Sequence, residues 1–80
     1  MATEAEITAT LGGIFAEVFG REIPLHPGLG AKDVPGWDSF KQIEIIMATE
    51  ETYAIRFSTR ELDSLQSVGD LIRVVAGKTG

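Results

Sequence analysis

Apolar residues between positions 7 and 19 recur at the spacing of one helical face, which predicts an amphipathic first helix. The members of this stripe are Ile7, Leu11, Ile14, Phe15, Val18 and Phe19. Their offsets of three, four, seven and eight positions match a period of 3.6 residues. Thr3, followed three residues later by Glu6, predicts a capping box at the start of this helix, and Gly20 predicts its end.

Residues 20–37 interrupt the helical pattern with prolines and glycines. These are Gly20, Pro24, Pro27, Gly28, Gly30, Pro35 and Gly36. They deny the segment a continuous helix or strand, so the sequence predicts a long loop. Long loops in compact domains are usually functional or packed by their own side chains. Because Ile23, Leu25, Leu29 and Val34 are available for packing, we expect this loop to be ordered.

Three further helix starts follow the loop. Asp38 and Ser39 open a second helix that runs to about Tyr53; either residue can cap it, and Gln42 completes a Ser-x-x-Gln capping box with Ser39. A short third helix is predicted at the run from Ser58 to Glu61.

The fourth helix is predicted to start within Ser67 to Asp70 and to end near Gly77. No segment shows the sustained alternation of a strand. The predicted fold class is therefore all-α. We expect a four-helix bundle of three main helices and one short helix, with the long loop between the first two.

The second helix carries apolar residues on two sides. Ile45, Ile46, Thr49 and Tyr53 fall on one side, while Phe40, Ile43 and Met47 fall largely on the other and are interleaved with Glu44, Glu50 and Glu51. Only one side can face the core of a small bundle. The other side is either a partner-docking strip framed by carboxylates or a surface packed under the long loop, and the periodicity leaves both readings open.

Composition limits the possible functions. Eighty residues, of which 44% are apolar and 24% charged, are typical of one globular domain, which we expect over residues 1–80. The net charge of −5, with scattered basic residues, disfavours nucleic-acid binding and favours basic protein partners. No cysteine is present, so any thiol chemistry requires a cofactor. With no signal peptide or membrane span visible, we expect a cytoplasmic protein. We also expect it to be a monomer.

Ser39 is the residue with the clearest chemical potential. A serine at a helix start is ordinarily a cap, and neither an adjacent His nor a Gly-x-Ser-x-Gly elbow makes this one a hydrolase nucleophile. A hydroxyl at a helix N-terminus is, however, well placed to bear a phosphate, because unpaired amides and the helix dipole favour an anion there. No set of titratable residues forms a catalytic or metal site, so we expect a protein that is not an enzyme.

Three motifs together resemble the acyl carrier protein family. They are Gly36-Trp-Asp-Ser39-Phe, then Ile43-Glu-Ile-Ile-Met47-Ala-Thr-Glu-Glu51, then Ser67-Val-Gly-Asp-Leu71. The resemblance spans essentially the whole chain and implies a four-helix bundle with the second helix as recognition element. It also implies that a phosphopantetheinyl transferase attaches 4′-phosphopantetheine from coenzyme A to Ser39, beside Asp38. The thiol of this arm would hold acyl groups as thioesters for enzymes of fatty-acid, lipid or polyketide metabolism.

The same resemblance implies roles for other residues. Partner enzymes with basic docking patches would contact Asp38, Phe40, Lys41, Ile43, Glu44, Met47, Glu50 and Glu51. An acyl pocket would be lined by Gln42, Ile45, Ile46, Thr49, Tyr53, Leu65 and Leu71. The sequence departs from the family pattern at Phe40, where Leu is usual, at Lys41, where an acidic residue is usual, and at Thr49, where an apolar residue is usual.

Two alternative functions remain open from the residues. A peptidyl or aminoacyl carrier would use the same arm, although its site commonly reads Gly-Gly-x-Ser instead of Gly-Trp-Asp-Ser. A non-catalytic helical adaptor would bind partners through the Phe40, Ile43 and Met47 strip, with Ser39 acting only as a cap. Attachment of the arm separates the carriers from the adaptor.

The polar residues on the core side of the second helix suggest a hypothesis about cargo. If Gln42 and Thr49 face the acyl pocket, the carrier should favour a chain that bears an oxygen function, or one held partly outside, over a plain saturated chain that is fully enclosed. The reason is that an unpaired buried polar group costs about 1–3 kcal/mol. Alternatively, the Thr49 hydroxyl bonds to its own helix backbone and Gln42 stays at the rim of the pocket.

Overall fold

The computed structural model describes residues 3–79 and confirms the all-α prediction. Four helices run over α1 (Glu4–Phe19), α2 (Ser39–Tyr53), α3 (Thr59–Ser64) and α4 (Val68–Thr79), and residues 3–79 contain no strand. The loop between α1 and α2 includes one short 3-10 turn at Ala31–Asp33. Residues 1, 2 and 80 of the predicted domain lie outside the described residues. No helix in the described part is long and apolar enough to cross a membrane.

The core is formed where α1 packs against both α2 and α4. From α1 it takes Ile7, Leu11, Ile14 and Phe15, from α2 it takes Ile45 and Ile46, and from α4 it takes Val68, Leu71, Ile72 and Val75. The predicted stripe on the first helix is therefore the core face of α1. Its last two members, Val18 and Phe19, are only half buried because they lie beside the loop at the end of the helix.

The ends of α1 form as predicted from the local sequence. The Thr3 hydroxyl accepts a hydrogen bond from the backbone N–H of Glu6, and the Glu6 carboxylate accepts one from the backbone N–H of Thr3. The bond from the Thr3 amide holds the pKa of Glu6 below its ordinary value. At the other end, Gly20 adopts the left-handed conformation that ends the helix, with a φ of 68°.

The long loop is ordered because α4 holds it. The backbone N–H groups of Val68 and Gly69 donate to the carbonyl oxygens of Leu29 and Pro27, at 2.8 and 2.9 Å. These are first-turn amides that a helix leaves unpaired, so the loop acts as the N-terminal cap of α4. The loop also buries Ile23, Leu29 and Val34 as expected, while Leu25 is only half buried.

The start of α2 differs in one detail from the prediction. Asp38 is the cap, and its carboxylate accepts a hydrogen bond of 3.0 Å from the backbone N–H of Lys41. The predicted box between Ser39 and Gln42 does not form. The Gln42 side-chain oxygen instead accepts a 2.8 Å hydrogen bond from the indole nitrogen of Trp37, which the loop places beside it.

The short helix α3 is held by a capping box and one ion pair. Ser58 and Glu61 cap each other reciprocally at the predicted helix start. The Glu61 carboxylate also lies 2.9 Å from the Lys78 ammonium near the end of α4. The Ser58 backbone N–H and the Lys78 ammonium hold the pKa of Glu61 below its ordinary value. Helix α4 continues to Thr79 instead of ending near Gly77, because this glycine keeps a right-handed helical backbone.

The C-terminal end of α2 offers a stability prediction. Ala54 ends the helix in the left-handed conformation, with a φ of 55°, where its Cβ is sterically disfavoured. We expect Ala54→Gly to raise the free energy of unfolding by about 0.5–1 kcal/mol, because glycine adopts this backbone without the clash. Urea unfolding followed by circular dichroism measures the change.

Ala9→Gly is the matched control, because Ala9 is exposed in the interior of α1. The same exchange there should lower the free energy of unfolding by about 1 kcal/mol. A loss of stability in both variants would contradict the assignment of strain to Ala54.

Candidate functional site

Ser39 is the first residue of α2, and its side chain is exposed. Because Asp38 performs the capping, the Ser39 hydroxyl makes no hydrogen bond to any of residues 3–79. The hydroxyl lies at the positive end of the helix dipole, beside first-turn amides. A phosphate group bonded to this oxygen would therefore be stabilised electrostatically.

Ser39 opens onto a groove of about 680 Å³. The groove lies between α2, α3 and the first turns of α4. Apolar side chains from all three helices and from the segment before α4 line most of it: Ile43, Ile46, Met47, Leu62, Leu65, Val68 and Leu71. Polar lining comes from Asp38, Ser39, Gln42, Gln66 and Ser67. Such a groove suits an apolar ligand.

The structure divides the predicted acyl-pocket residues into two groups. Gln42, Ile46, Leu65 and Leu71 line the groove together with Ser39. Ile45, Thr49 and Tyr53 are not among the residues that line it. Ile45 and Thr49 are fully buried, and Tyr53 is half buried against the core.

Thr49 is the buried polar residue of the core, and its hydroxyl is satisfied locally. The Oγ1 atom donates a 2.7 Å hydrogen bond to the carbonyl oxygen of Ile45, one helical turn earlier. This arrangement lets α2 bury a threonine without an unpaired polar group. The Thr49 hydroxyl therefore bonds to its own helix backbone, as the local alternative expects.

Sequence reasoning missed several groove residues. Trp37, Leu62, Gln66, Ser67 and Val68 all line the groove. They come from the loop, from α3 and from the start of α4. Trp37 belongs to the Gly36-Trp-Asp-Ser39-Phe motif, and Ser67 and Val68 belong to the Ser67-Val-Gly-Asp motif. These motifs mark helix starts but not the element that each residue faces. Helix assignment alone cannot show which sides of three helices enclose one space.

The apolar strip on α2 is exposed. Phe40, Ile43 and Met47 keep 77%, 56% and 62% of their surface accessible, so packing under the long loop is excluded. Leu62 of α3, at 40%, adds a further exposed apolar side chain that the sequence did not indicate. Apolar side chains at such exposure are characteristic of a surface that binds another protein.

Carboxylates lie on α2 among the residues of this strip. Glu44 and Glu51 are both exposed, and neither is part of an ion pair among residues 3–79. A basic partner can therefore approach them without displacing a cation of this chain.

Two residues predicted to bind partners are engaged inside the molecule. The Lys41 ammonium donates to the carbonyl oxygen of Val18 at 3.1 Å, where it satisfies one of the last carbonyls of α1. The Glu50 carboxylate accepts a 2.8 Å hydrogen bond from the backbone N–H of Phe57 and ties down the segment between α2 and α3. Both side chains are half buried. Only the tertiary packing reveals these internal partners.

The described residues contain no grouping of His, Asp or Glu that could hold a metal ion. What the structure presents is an accessible hydroxyl at a helix start, a groove that begins at this hydroxyl, and an exposed apolar strip next to it.

Comparison with known proteins bears on the family and the fold. No family model matches the chain. A meromycolate extension acyl carrier protein from Mycolicibacterium smegmatis is 33% identical over 75 residues, which cover 92% of this chain and 76% of that protein. An acyl carrier protein from Acidothermus cellulolyticus is 31% identical over 80 residues, covering 96% of this chain and 93% of the relative.

A solved structure matches the fold. The solution structure of a holo acyl carrier protein from Geobacter metallireducens superimposes with a TM-score of 0.84 at 36% identity, covering 89% of this chain and 83% of that one. The fold and the relatives thus define a small helical carrier. The chain belongs to the acyl carrier protein family, and its function is to carry acyl groups.

Proposed function

We propose that Ser39 is the attachment site of a 4′-phosphopantetheine arm and that the groove beside it receives the acyl chain. The observation that carries this proposal is the exposed Ser39 hydroxyl, which is released from capping by Asp38 and opens onto the groove. Transfer from coenzyme A by a phosphopantetheinyl transferase would form a bond from Ser39 Oγ to phosphorus and break the pyrophosphate bond of coenzyme A. The serine proton and the nucleotide portion of coenzyme A would leave.

The residues present fit this group. Ser39 supplies the oxygen, and the first-turn amides of α2 favour the negative phosphodiester. Asp38 is the nearest carboxylate in sequence, and its hydrogen bond from the Lys41 amide offsets part of its charge. The arm supplies the thiol that this cysteine-free chain lacks, and this thiol holds the acyl group as a thioester.

We further propose that partners dock on the exposed strip of Phe40, Ile43 and Met47. Glu44 and Glu51 would meet basic patches on the transferase and on acyl-processing enzymes, since the chain is acidic overall, with a net charge of −5. Asp38 would contribute at the Ser39 end of the same surface. Lys41 and Glu50 would contribute only indirectly, because each holds part of the backbone in place.

These roles fit a cytoplasmic monomer that serves the enzymes of fatty-acid, lipid or polyketide metabolism and binds neither nucleic acid nor the membrane interior. As a carrier it would perform no catalysis itself. The many unpartnered charges on its surface support transient encounters with several enzymes, in which charge mainly sets the rate of association.

Intact mass spectrometry tests the attachment. The purified chain is incubated with coenzyme A and a phosphopantetheinyl transferase, and the modified peptide is sequenced. The expected result is one added arm located on Ser39. No added mass would favour the adaptor alternative, and an arm on another residue would overturn the assignment of Ser39.

Charge reversal at Glu44 or Glu51 tests the docking surface. We expect either Glu44→Lys or Glu51→Lys to slow arm transfer severalfold at low salt, because rim charges act mainly on association. The difference should shrink as the ionic strength rises and screens the charges. Initial rates of transfer at two salt concentrations measure both effects.

Glu17→Lys is the control for this experiment, because Glu17 is an exposed carboxylate on α1 and lies outside the proposed surface. It makes the same change in net charge. If all three variants slow transfer equally, net charge alone explains the effect and the docking surface has been misplaced.

A further inference from the structure

The Gln42 side chain has an orientation that the structure determines. Its Oε1 atom accepts a 2.8 Å hydrogen bond from Trp37 Nε1. An indole nitrogen only donates hydrogen bonds, so the oxygen of the carboxamide, and not its nitrogen, must face Trp37. The Nε2 atom, with its two N–H donors, is therefore free to donate to another acceptor.

Trp37 is itself held in place by the core. Its ring packs edge-on against Phe15 at a centroid distance of 5.2 Å and against Phe19 at 6.2 Å. Phe15 is fully buried, which gives the indole a rigid support. Trp37 is thus a positioning residue that keeps the Gln42 amide from rotating.

The Gln42 amide lies in the wall of the groove near the point where cargo would enter. Ser39 and Gln42 are three residues apart on α2, so they are neighbours on one helical face, and both line the groove. Gln42 Nε2 makes no hydrogen bond to any of residues 3–79. No buried side-chain polar atom in this part of the chain lacks a partner, so Nε2 is not sealed inside the protein.

The other polar groups near the groove are less suited to read the cargo. The Ser67 hydroxyl accepts a 3.3 Å hydrogen bond from the Asp70 amide at the start of α4. Gln66 is exposed, and no indole holds its amide. Below Gln42 the groove is apolar, with Ile46 and Leu71 among its lining residues. Gln42 is therefore a hydrogen-bond donor of fixed orientation in a groove that is lined mainly by apolar side chains.

We propose that Gln42 is a specificity-determining residue whose Nε2 atom donates a hydrogen bond to an oxygen on the carried acyl chain. This inference rests on the proposed attachment at Ser39. A chain that enters the groove tail first from the Ser39 side leaves the carbons next to its thioester beside Gln42, since Ser39 and Gln42 line the groove together. The favoured cargo is an acyl chain with a hydroxyl or keto oxygen close to its thioester, in preference to a plain saturated chain.

The test compares two matched cargoes on the holo protein, octanoyl and 3-hydroxyoctanoyl, with loading on Ser39 verified by intact mass. The thermal midpoint of unfolding is measured for both forms of the parent chain and of Gln42→Met, which removes the amide at similar volume. In Gln42→Met, the thermal midpoint of the hydroxylated form should fall by roughly 4–8 °C more than the midpoint of the plain form does. This difference is expected for one hydrogen bond in a domain of this size.

A second variant separates the donor from the Trp37 contact. Gln42→Glu retains an oxygen for the indole N–H but has no N–H donors, so it should lose the cargo preference while the Trp37 indole resonance keeps its position in a ¹H–¹⁵N spectrum. In the parent chain, the Gln42 side-chain N–H resonances should lie further downfield with the hydroxylated cargo than with the plain cargo, because the thioester carbonyl is common to both and only the hydroxyl oxygen differs. This shift is a readout that a merely structural role for Gln42 would not produce.

Three outcomes would overturn the proposal. An unchanged difference between cargoes in Gln42→Met would remove Gln42 as the determinant. Loss of the preference in Gln66→Met instead would assign the donor to Gln66. Identical Gln42 side-chain resonances with both cargoes would exclude the hydrogen bond. Failure of the chain to accept any arm is a distinct result, visible in the intact mass, and it would refute the attachment at Ser39 itself.

Discussion

The Ser39→Ala variant is expected to fold as the parent chain does and to gain no mass with coenzyme A and a phosphopantetheinyl transferase. The loss should be complete, because the phosphodiester requires the serine oxygen and no neighbouring side chain supplies one in the same position. Intact mass spectrometry measures loading, and circular dichroism measures folding.

The stability cost of this variant should be small. A serine that caps a helix costs about 1 kcal/mol when it is lost, but Asp38 performs the capping of α2. Ser39 is exposed and its hydroxyl is not hydrogen-bonded to residues 3–79, so we expect a change within about 0.5 kcal/mol in the free energy of unfolding. Loss of loading with unchanged folding would separate the chemical role from the structural one.

Ser64→Ala provides the control. Ser64 is an exposed helical serine in α3 whose hydroxyl donates to the Glu61 carbonyl, and it lies outside the groove. This variant should accept the arm as the parent chain does. Normal arm incorporation in Ser39→Ala would show that the attachment site is elsewhere.

Of the two glycines in α4, Gly69 is the one whose replacement by alanine should lower the free energy of unfolding. A Cβ at this position would lie 2.9 Å from the Pro27 carbonyl oxygen and 3.2 Å from Pro27 Cβ. The same carbonyl accepts the hydrogen bond from the Gly69 amide, so relieving the clash stretches the contact that anchors the loop. We expect a loss of about 1–3 kcal/mol, as for other overpacked sites, with a midpoint lowered by about 4–8 °C per kcal/mol.

Gly77→Ala is the matched control in the same helix. A Cβ at Gly77 would meet no atom within 4 Å, and the position is exposed. The exchange should therefore raise stability by about 0.5–1 kcal/mol, because alanine is the better helix former. If Gly69→Ala were as stable as Gly77→Ala, the close approach of the loop to α4 would not constrain the residue at position 69.

The sequence by itself determined the helices and most of their ends. These features depend on contacts within a few residues: the stripe on α1, the Thr3 and Glu6 box, the Ser58 and Glu61 box, and the stop at Gly20. Local signals of this kind can be recognised in a sequence because side chains three or four positions apart meet on any helix. The motif resemblance identified the family, which the relatives confirm.

The same local logic was wrong where a partner from another element competed. At the start of α2, the sequence paired Gln42 with Ser39, but the loop supplies Trp37 and takes the Gln42 oxygen. Lys41 and Glu50 have the spacing of surface residues, yet each finds a backbone group that the fold brings within reach. Their partners are 23 and seven positions away in the chain.

Only the tertiary structure decided which residues line the groove and which side of α2 remains exposed. Helical spacing placed Ile45, Thr49 and Tyr53 on one side of α2, and the packing of α1 on α2 makes this side part of the core. The strip of Phe40, Ile43 and Met47 is exposed because the loop is anchored on α4 and does not cover it. Helical spacing determines which residues share a face, whereas the neighbour that covers a face depends on contacts between distant segments.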